Sequence, residues 1–98
     1  AAAAAEAMKD FTGAVSDVLE NLRPGDVMSY GEIAEEAGYP GAARAVGNLL
    51  AATPGLPWWR VVTQSGRLAP GHELRQTELL RSEGVRVRQG RVIDRTER

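Results

Sequence analysis

The sequence contains no cysteine, one histidine (His72) and five aromatic residues among its 98 positions. Without cysteine the chain can form no disulfide, thiolate metal ligand or thiol nucleophile. With a single histidine and no Asp/Glu-rich loop, we predict no metal site and no cofactor. No apolar run approaches the roughly 20 residues that span a bilayer, and no signal-peptide pattern is visible. We therefore expect a cytoplasmic protein without a membrane partner.

Length and charge distribution give two further expectations. A chain of 98 residues buries about 65% of its unfolded surface, so we predict one domain over residues 1–98, with the alanines at 1–5 as a disordered or cloning-derived end. The net charge of −1 conceals an acidic first part and a basic second part. Two basic residues face eight acidic ones in residues 1–40, whereas ten arginines face five acidic residues in 41–98. The second part suits a phosphate backbone, although solvated surface is the plainer interpretation.

Hydrophobic spacing predicts three helices in the first half of the chain. A helix over about residues 6–21 has apolar side chains three and four positions apart, namely Phe11, Val15, Val18, Leu19 and Leu22. Ser29 and Glu32 form a capping box for a second helix, which Gly38 ends. "AARAVGNLLAAT" gives a third helix, closed by Thr53 and Pro54. Two short helices joined by a Gly/Pro turn are typical of a helix-turn-helix.

The second half predicts strands around one more helix. "WRVVTQSGRLA" indicates a strand and hairpin, and "VRVRQGRVI" a two-stranded ribbon. Between them, "ELRQTELLRSEG" places Leu74, Leu79 and Leu80 at helical spacing. The predicted fold class is α/β: a small single domain, mostly helical, of winged helix-turn-helix type with short β-hairpins.

Three features allow both a structural and a functional interpretation. The third helix carries mostly small side chains, with Arg44 as the long one among them. Small side chains allow a helix to pack closely on the core or to approach DNA. Tyr30 suits the core or a contact to a nucleotide. Trp58 and Trp59 are neighbours on the predicted strand, so they should point to opposite faces, and at least one should line a cleft or lie near the surface.

The order of these motifs resembles the C-terminal DNA-binding domain of O6-alkylguanine-DNA alkyltransferases. The matching segments are "GDVMSYGEIAEEAGYPGAARAVGNLL", "LPWWRVVTQSGRL" and "LLRSEGV", within residues 25–85. In that family a cysteine accepts the alkyl group, a histidine activates it and a glutamate orients the histidine. Here Trp58 and Trp59 stand at the cysteine and histidine positions. The resemblance implies no catalytic residue, and it leaves Glu83, at the glutamate position, with nothing to orient.

Tryptophan at the cysteine position is the hallmark of the alkyltransferase-like proteins, most of which keep the histidine. The resemblance implies a monomer that binds duplex DNA containing O6-alkylguanine, flips the damaged nucleotide without repairing it, and marks it for nucleotide excision repair proteins. In a bacterium it would lie with the nucleoid. Flipping costs a few kcal/mol, and less for a lesion that pairs badly.

The resemblance also assigns individual residues. It places Arg44 in the gap left by the flipped base, and Tyr30 at the phosphate of the flipped nucleotide. The predicted DNA-binding residues are Tyr30, Ala42, Ala43, Arg44, Ala45, Gly47 and Asn48. The predicted lesion pocket comprises Tyr30, Trp58, Val61, Ser65 and Gly66, with loop 64–71 as its wall and the backbone of Trp58 and Val61 at the base edge. His72, outside the motifs, is predicted to be an exposed residue of a helix cap without a catalytic role.

Three alternatives are open at this point. A helix-turn-helix transcription regulator without lesion specificity would read the major groove with long polar side chains, of which the third helix offers only Arg44 and Asn48. An enzyme of another kind would have to act through Glu83 without a partner base. A structural or interaction module would not need both Tyr30 and Arg44.

Overall fold

The computed structural model describes residues 2–93, with side chains described from residue 11. Its four α-helices are α1 (Ala2–Glu20), α2 (Tyr30–Glu36), α3 (Ala43–Ala52) and α4 (Glu73–Ser82). Its four two-residue strands are β1 (Met28–Ser29), β2 (Val61–Val62), β3 (Val87–Arg88) and β4 (Arg91–Val92). The predicted fold class is confirmed, although the described residues contain one β-hairpin, formed by β3 and β4.

Helix α1 buries the apolar face that its spacing predicts. Val15 and Leu19 are fully buried, and the other three predicted positions pack around them. In the first core cluster they pack with five buried residues from later in the chain, namely Ile33, Ala34, Val46, Leu56 and Val61. The helix begins at Ala2, so residues 2–5 lie within α1. None of the helices in residues 2–93 is long and apolar enough to cross a membrane.

The predicted capping box at the start of α2 is present. The Glu32 amide donates to Ser29 Oγ at 3.0 Å, and the Ser29 amide donates to Glu32 Oε1 at 2.8 Å. The helix ends where Gly38 adopts a φ of +93°, a conformation that costs glycine little. The start of α2 is thus fixed by contacts between residues only three positions apart.

The segment before and within β2 differs from the prediction. Trp58–Arg60 form a 3-10 turn rather than a strand, and only Val61–Val62 are extended. Strand β2 pairs in parallel with β1, joining Met28 to Val61, so it is not half of a hairpin. The predicted turn after it exists, since the Gly66 amide donates to the Thr63 carbonyl at 2.8 Å. Beyond that turn the chain bridges to β4 instead of returning along β2.

The last helix and hairpin enclose a second core cluster. The cluster consists of Val62, Leu68, Leu80, Val85, Val87 and Val92, with Trp59 and Val27 packed against it. The predicted ribbon is confirmed: Gln89 and Gly90 both have positive φ, as a two-residue hairpin loop requires. The predicted apolar face of α4 is wrong at Leu74, which is 81% exposed.

Gln76 is the buried residue at the start of α4 in place of Leu74. Its side chain accepts from the Ala69 amide at 2.7 Å and donates to the carbonyls of Trp59 and Val61, each at 3.0 Å. These bonds connect α4 to the 3-10 turn and to β2. A buried amide with its polar atoms satisfied is compatible with the core, which periodicity of apolar residues alone does not predict.

Candidate nucleic-acid interface

Helix α3 presents a face of small side chains around one long cation. Arg44, Ala45 and Asn48 are exposed, whereas Val46 on the opposite side is fully buried. Gly47 lies against Tyr30. A Cβ atom at position 47 would be 3.8 Å from the tyrosine ring, which is an ordinary van der Waals distance. A surface of this kind can approach another molecule closely, with the Arg44 guanidinium as its single projecting group.

Tyr30 occupies the centre of the predicted site. It is the first residue of α2, it packs against the first core cluster, and it lines two clefts. Burial raises the pKa of the Tyr30 phenol above its ordinary value. The hydroxyl therefore remains protonated at neutral pH and can donate a hydrogen bond to an anionic oxygen.

The first cleft, about 360 Å³ in volume, contains Trp58. It is lined by Tyr30, Gly47, Leu50, Ala51, Trp58 and His72. Trp58 belongs to neither core cluster, and its ring meets the ring of His72 edge-on at 5.7 Å between centroids. The prediction for His72 was incomplete: it is the exposed N-cap of α4, but it also forms one wall of this cleft.

Trp59 points away from that cleft. Its ring lies at 89° to that of Trp58, and it packs on the second core cluster. Divergence of the two indoles was predicted from strand alternation, but the cause is the 3-10 turn together with a hydrogen bond. Trp59 Nε1 donates to Glu83 Oε2 at 2.8 Å.

Glu83 therefore orients Trp59, and the expectation that it has nothing to orient is wrong. The carboxylate also accepts from Arg60, through Nη2 at 2.7 Å and Nε at 3.0 Å, and from the Gly25 amide at 3.0 Å. The Arg60 guanidinium lies 5.2 Å from the centre of the Trp59 ring, within cation–π range. One carboxylate thus connects the end of α4, the 3-10 turn and the turn after α1.

The environment of Glu83 keeps it ionised. Burial by itself raises the pKa of the carboxyl, but the hydrogen bonds from Arg60, Gly25 and Trp59 and the charge of Arg60 outweigh burial and lower the pKa below its ordinary value. An anion saturated with donors is a poor base, which weakens the alternative of an enzyme that acts through Glu83.

The second cleft, about 440 Å³ in volume, is also lined by Tyr30. Ala43, Thr63 and Gln64 line it, together with residues of β1 and α2. Three members of the predicted lesion pocket lie elsewhere: the Val61 side chain is fully buried, Ser65 is exposed in the turn, and Gly66 packs against β4. None of the three lines the Trp58 cleft. Backbone contacts from Val61 to a base stay a prediction.

With this geometry in place, comparison with known proteins identifies the family. The family model described as the DNA-binding domain of 6-O-methylguanine DNA methyltransferase matches residues 10–85. The chain belongs to this family. The family resemblance predicted from its sequence motifs is thereby confirmed.

Relatives within the methyltransferase DNA-binding family include proteins named for base flipping. The chain is 41% identical over 85 residues to a DNA base-flipping protein of Vibrio parahaemolyticus, covering 82% of this chain and 85% of that protein. It is 35% identical over 89 residues to alkyltransferase-like protein 1 of Schizosaccharomyces pombe, covering 84% and 82%. The fold matches S. pombe Atl1 in complex with damaged DNA containing O6-carboxymethylguanine, with a TM-score of 0.75 and 34% identity over 83% of this chain and 82% of that one.

Of the predicted site residues, Tyr30, Gly47 and Trp58 line the same cleft. Arg44 is exposed on α3, the helix that also carries Gly47. Among the described residues, no group of three or more His, Asp or Glu side chains is arranged to hold a metal ion. Sequence reasoning missed His72, Leu50 and Ala51 as walls of the cleft. The helical spacing of Gly47, Leu50 and Ala51 on α3 was the signal that would have found the last two.

Proposed function

We propose that this protein is a non-enzymatic sensor of O6-alkylguanine in duplex DNA. Helix α3 docks in the minor groove, the damaged nucleotide is flipped out of the stack, and the lesion is held in the cleft beside Trp58. The observation that carries the proposal is the position of the Trp58 indole in a cleft shared with Tyr30, in a chain that has no cysteine.

The chemistry of the cleft supports binding without alkyl transfer. Displacement at an alkyl carbon needs a strong nucleophile such as a thiolate, and neither an indole nor the phenol of Tyr30, whose pKa is raised, supplies one. An indole is instead a wide apolar surface on which a base can stack, an interaction worth about 1–3 kcal/mol.

The remaining residues of the face support flipping. Arg44 is exposed and long enough to enter the stack, while its small neighbours allow the backbone of α3 to approach the groove. Tyr30, the first residue of α2, lies against Gly47 of α3 and has a protonated hydroxyl available to a phosphate oxygen. The positions of these groups are compatible with recognition of one extruded nucleotide, to which the S. pombe Atl1 complex with damaged DNA is the relevant parallel.

Several finer elements of this proposal rest on the family resemblance. We propose that the bound lesion is marked for nucleotide excision repair proteins, that the protein acts as a monomer, and that it works in the cytoplasm. No catalytic residue is assigned in this scheme, and Trp58 and Trp59 stand where catalytic family members have their cysteine and histidine.

The test is a pair of titrations with duplexes that differ only by one O6-methylguanine. We expect the damaged duplex to bind at least tenfold more tightly, which corresponds to about 1.4 kcal/mol. A fluorescent base analogue at the lesion should brighten on binding as it leaves the stack. Equal affinity for both duplexes would contradict the proposal and favour a helix-turn-helix regulator without lesion specificity.

A second measurement tests the absence of alkyl transfer. Excess protein is incubated with a duplex carrying labelled O6-methylguanine, and both the protein and the DNA are then analysed. We expect no label on the protein and no restored guanine. Stoichiometric transfer of label would overturn the non-enzymatic part of the proposal while leaving lesion binding intact.

A further inference from the structure

Three arginines form a row on the outer face of the small sheet that follows α4. Arg88 and Arg91 are cross-strand partners in β3 and β4, and Arg67 bridges to Arg91 from the other side. Residues directly opposite one another in a sheet point to the same face, with Cβ atoms about 5 Å apart. All three arginines are exposed, whereas Val87 and Val92 on the opposite face are buried. We call Arg67, Arg91 and Arg88 the arginine row.

Within residues 11–93, whose side chains the structure describes, the arginine row concentrates positive charge with little opposing charge in the cleft beside it. None of its members takes part in the ion pairs Arg60–Glu83 or Arg75–Glu78. A cleft of about 720 Å³ lies in front of the row, and the one acidic side chain among its described lining residues is Glu73. Oε1 of Glu73 already accepts from the Gly71 amide.

Such an arrangement does not favour folding. Like charges directly opposite each other in a sheet are destabilising, so the row costs stability unless it has an anionic ligand. Guanidinium groups are planar forks of donors that match phosphate oxygens, and they remain charged at any physiological pH. A polyanion with regularly spaced phosphates is the ligand that fits several such groups along one face.

The row is continuous with the face of α3. Thr63 lines the cleft in front of the row and also the cleft beside Tyr30 and Ala43, so one surface runs from the start of α3 to the hairpin. A duplex that is seated on α3 with its lesion near Tyr30 would extend past Thr63 over the row.

We propose that the arginine row is a second DNA contact, which binds the phosphodiester backbone beside the lesion. The inference rests on the proposed function, and it adds a contact outside the lesion cleft. The row makes no base contacts. It therefore strengthens binding to damaged and undamaged duplex alike, and it lengthens the stretch of DNA that the protein occupies.

The test compares two double variants that lose the same charge. Arg67→Gln/Arg91→Gln removes two members of the row, and Arg23→Gln/Arg75→Gln removes two exposed arginines that line none of the three clefts. Both are titrated, with the wild type, against duplexes of about 10 and about 20 base pairs with a central O6-methylguanine or guanine, at 50–200 mM salt. One helical turn, about 10 base pairs, covers the lesion but little flanking backbone.

On the long duplex, the slope of log affinity against log salt should fall by up to about 1.8 in the row variant, because each phosphate that is no longer neutralised lowers the slope by about 0.9. The control variant should keep the wild-type slope. On the short duplex the row variant should bind like the wild type, and its preference for the lesion should be unchanged throughout. Thermal unfolding at low salt should give the row variant a Tm equal to or above that of the wild type.

Two outcomes would overturn the inference. If the row variant matches the control on the long duplex, the row does not touch DNA, as would be the case if it bound an acidic protein surface. If it loses affinity equally on both lengths and has a lowered Tm, the row is structural. The proposed function is judged separately in the same experiment, because a wild type without lesion preference contradicts that function whatever the row does.

Discussion

Glu83→Ala removes the carboxylate to which three residues of two other segments, Trp59, Arg60 and Gly25, donate hydrogen bonds. Glu83 and Arg60 form an ion pair at 2.7 Å with both side chains only 12% exposed. Breaking one partner of a buried pair costs about 3–5 kcal/mol, and residual exposure favours the lower end. The Trp59 indole and the Gly25 amide each lose an acceptor as well, at about 1 kcal/mol apiece. We therefore expect a loss of about 5 kcal/mol in the free energy of unfolding.

That loss is large for a protein of this size. Small domains are stable by about 5–15 kcal/mol, and 1 kcal/mol corresponds to about 4–8 °C in Tm for 60–100 residues. Glu83→Ala should thus lower Tm by on the order of 20 °C. The matched control is Glu78→Gln on the same helix, whose partner Arg75 is 66% exposed. Surface pairs contribute about 0–1 kcal/mol, so the control should change Tm by a few degrees at most.

The pH dependence gives an independent check on the same carboxylate. Because the folded pKa of Glu83 is lowered, its contribution is present above the ordinary glutamate pKa of about 4.3 and is lost as pH falls through the lowered pKa. The free energies of unfolding of wild type and Glu83→Gln, measured in urea, should therefore differ most at neutral pH and approach each other as pH falls through the lowered pKa of Glu83. A constant difference across that range, or a cost for Glu83→Ala no larger than that of Glu78→Gln, would refute the central role given to Glu83.

Three further predictions concern individual residues. Arg44→Ala should weaken binding to O6-methylguanine duplex by about 1–3 kcal/mol with Tm nearly unchanged, and unaltered affinity would make Arg44 ordinary surface charge. Trp58→Ala should lower lesion affinity by about 1–3 kcal/mol and leave Tm nearly unchanged. Trp59→Ala should instead lower the free energy of unfolding by about 3 kcal/mol. If Trp58→Ala lost stability and Trp59→Ala lost lesion affinity, the roles given to the two residues would be wrong. Gly66→Ala should lower Tm more than Gly71→Ala. Both glycines have positive φ, but at Gly66 the new Cβ would also lie 3.1 Å from a carbonyl oxygen of β4. Equal decreases in Tm would show that this close approach has no effect.

The features that the sequence predicts correctly are those whose partners lie close along the chain. The capping box joins Ser29 to Glu32, three residues apart, and the β3–β4 hairpin depends on Gln89 and Gly90 in its own loop. Helical periodicity over one to five turns predicts α1 and the helix-turn-helix. The motif order also carried the family, which comparison confirmed.

Other features depend on residues that are distant in sequence. The 3-10 turn at Trp58–Arg60 replaces the predicted strand, and Glu83, more than twenty residues away, binds two of its three side chains. His72 reaches Trp58 only because α4 packs on that turn through Gln76. The β-branched content and the alternation of a segment reflect its own conformational propensity. They contain no information about a carboxylate elsewhere in the chain. Local hydrogen bonds and periodicity thus determined the helices and the hairpin, whereas the direction of each tryptophan was decided by which distant donors and acceptors the packed core brings within about 3 Å of one another.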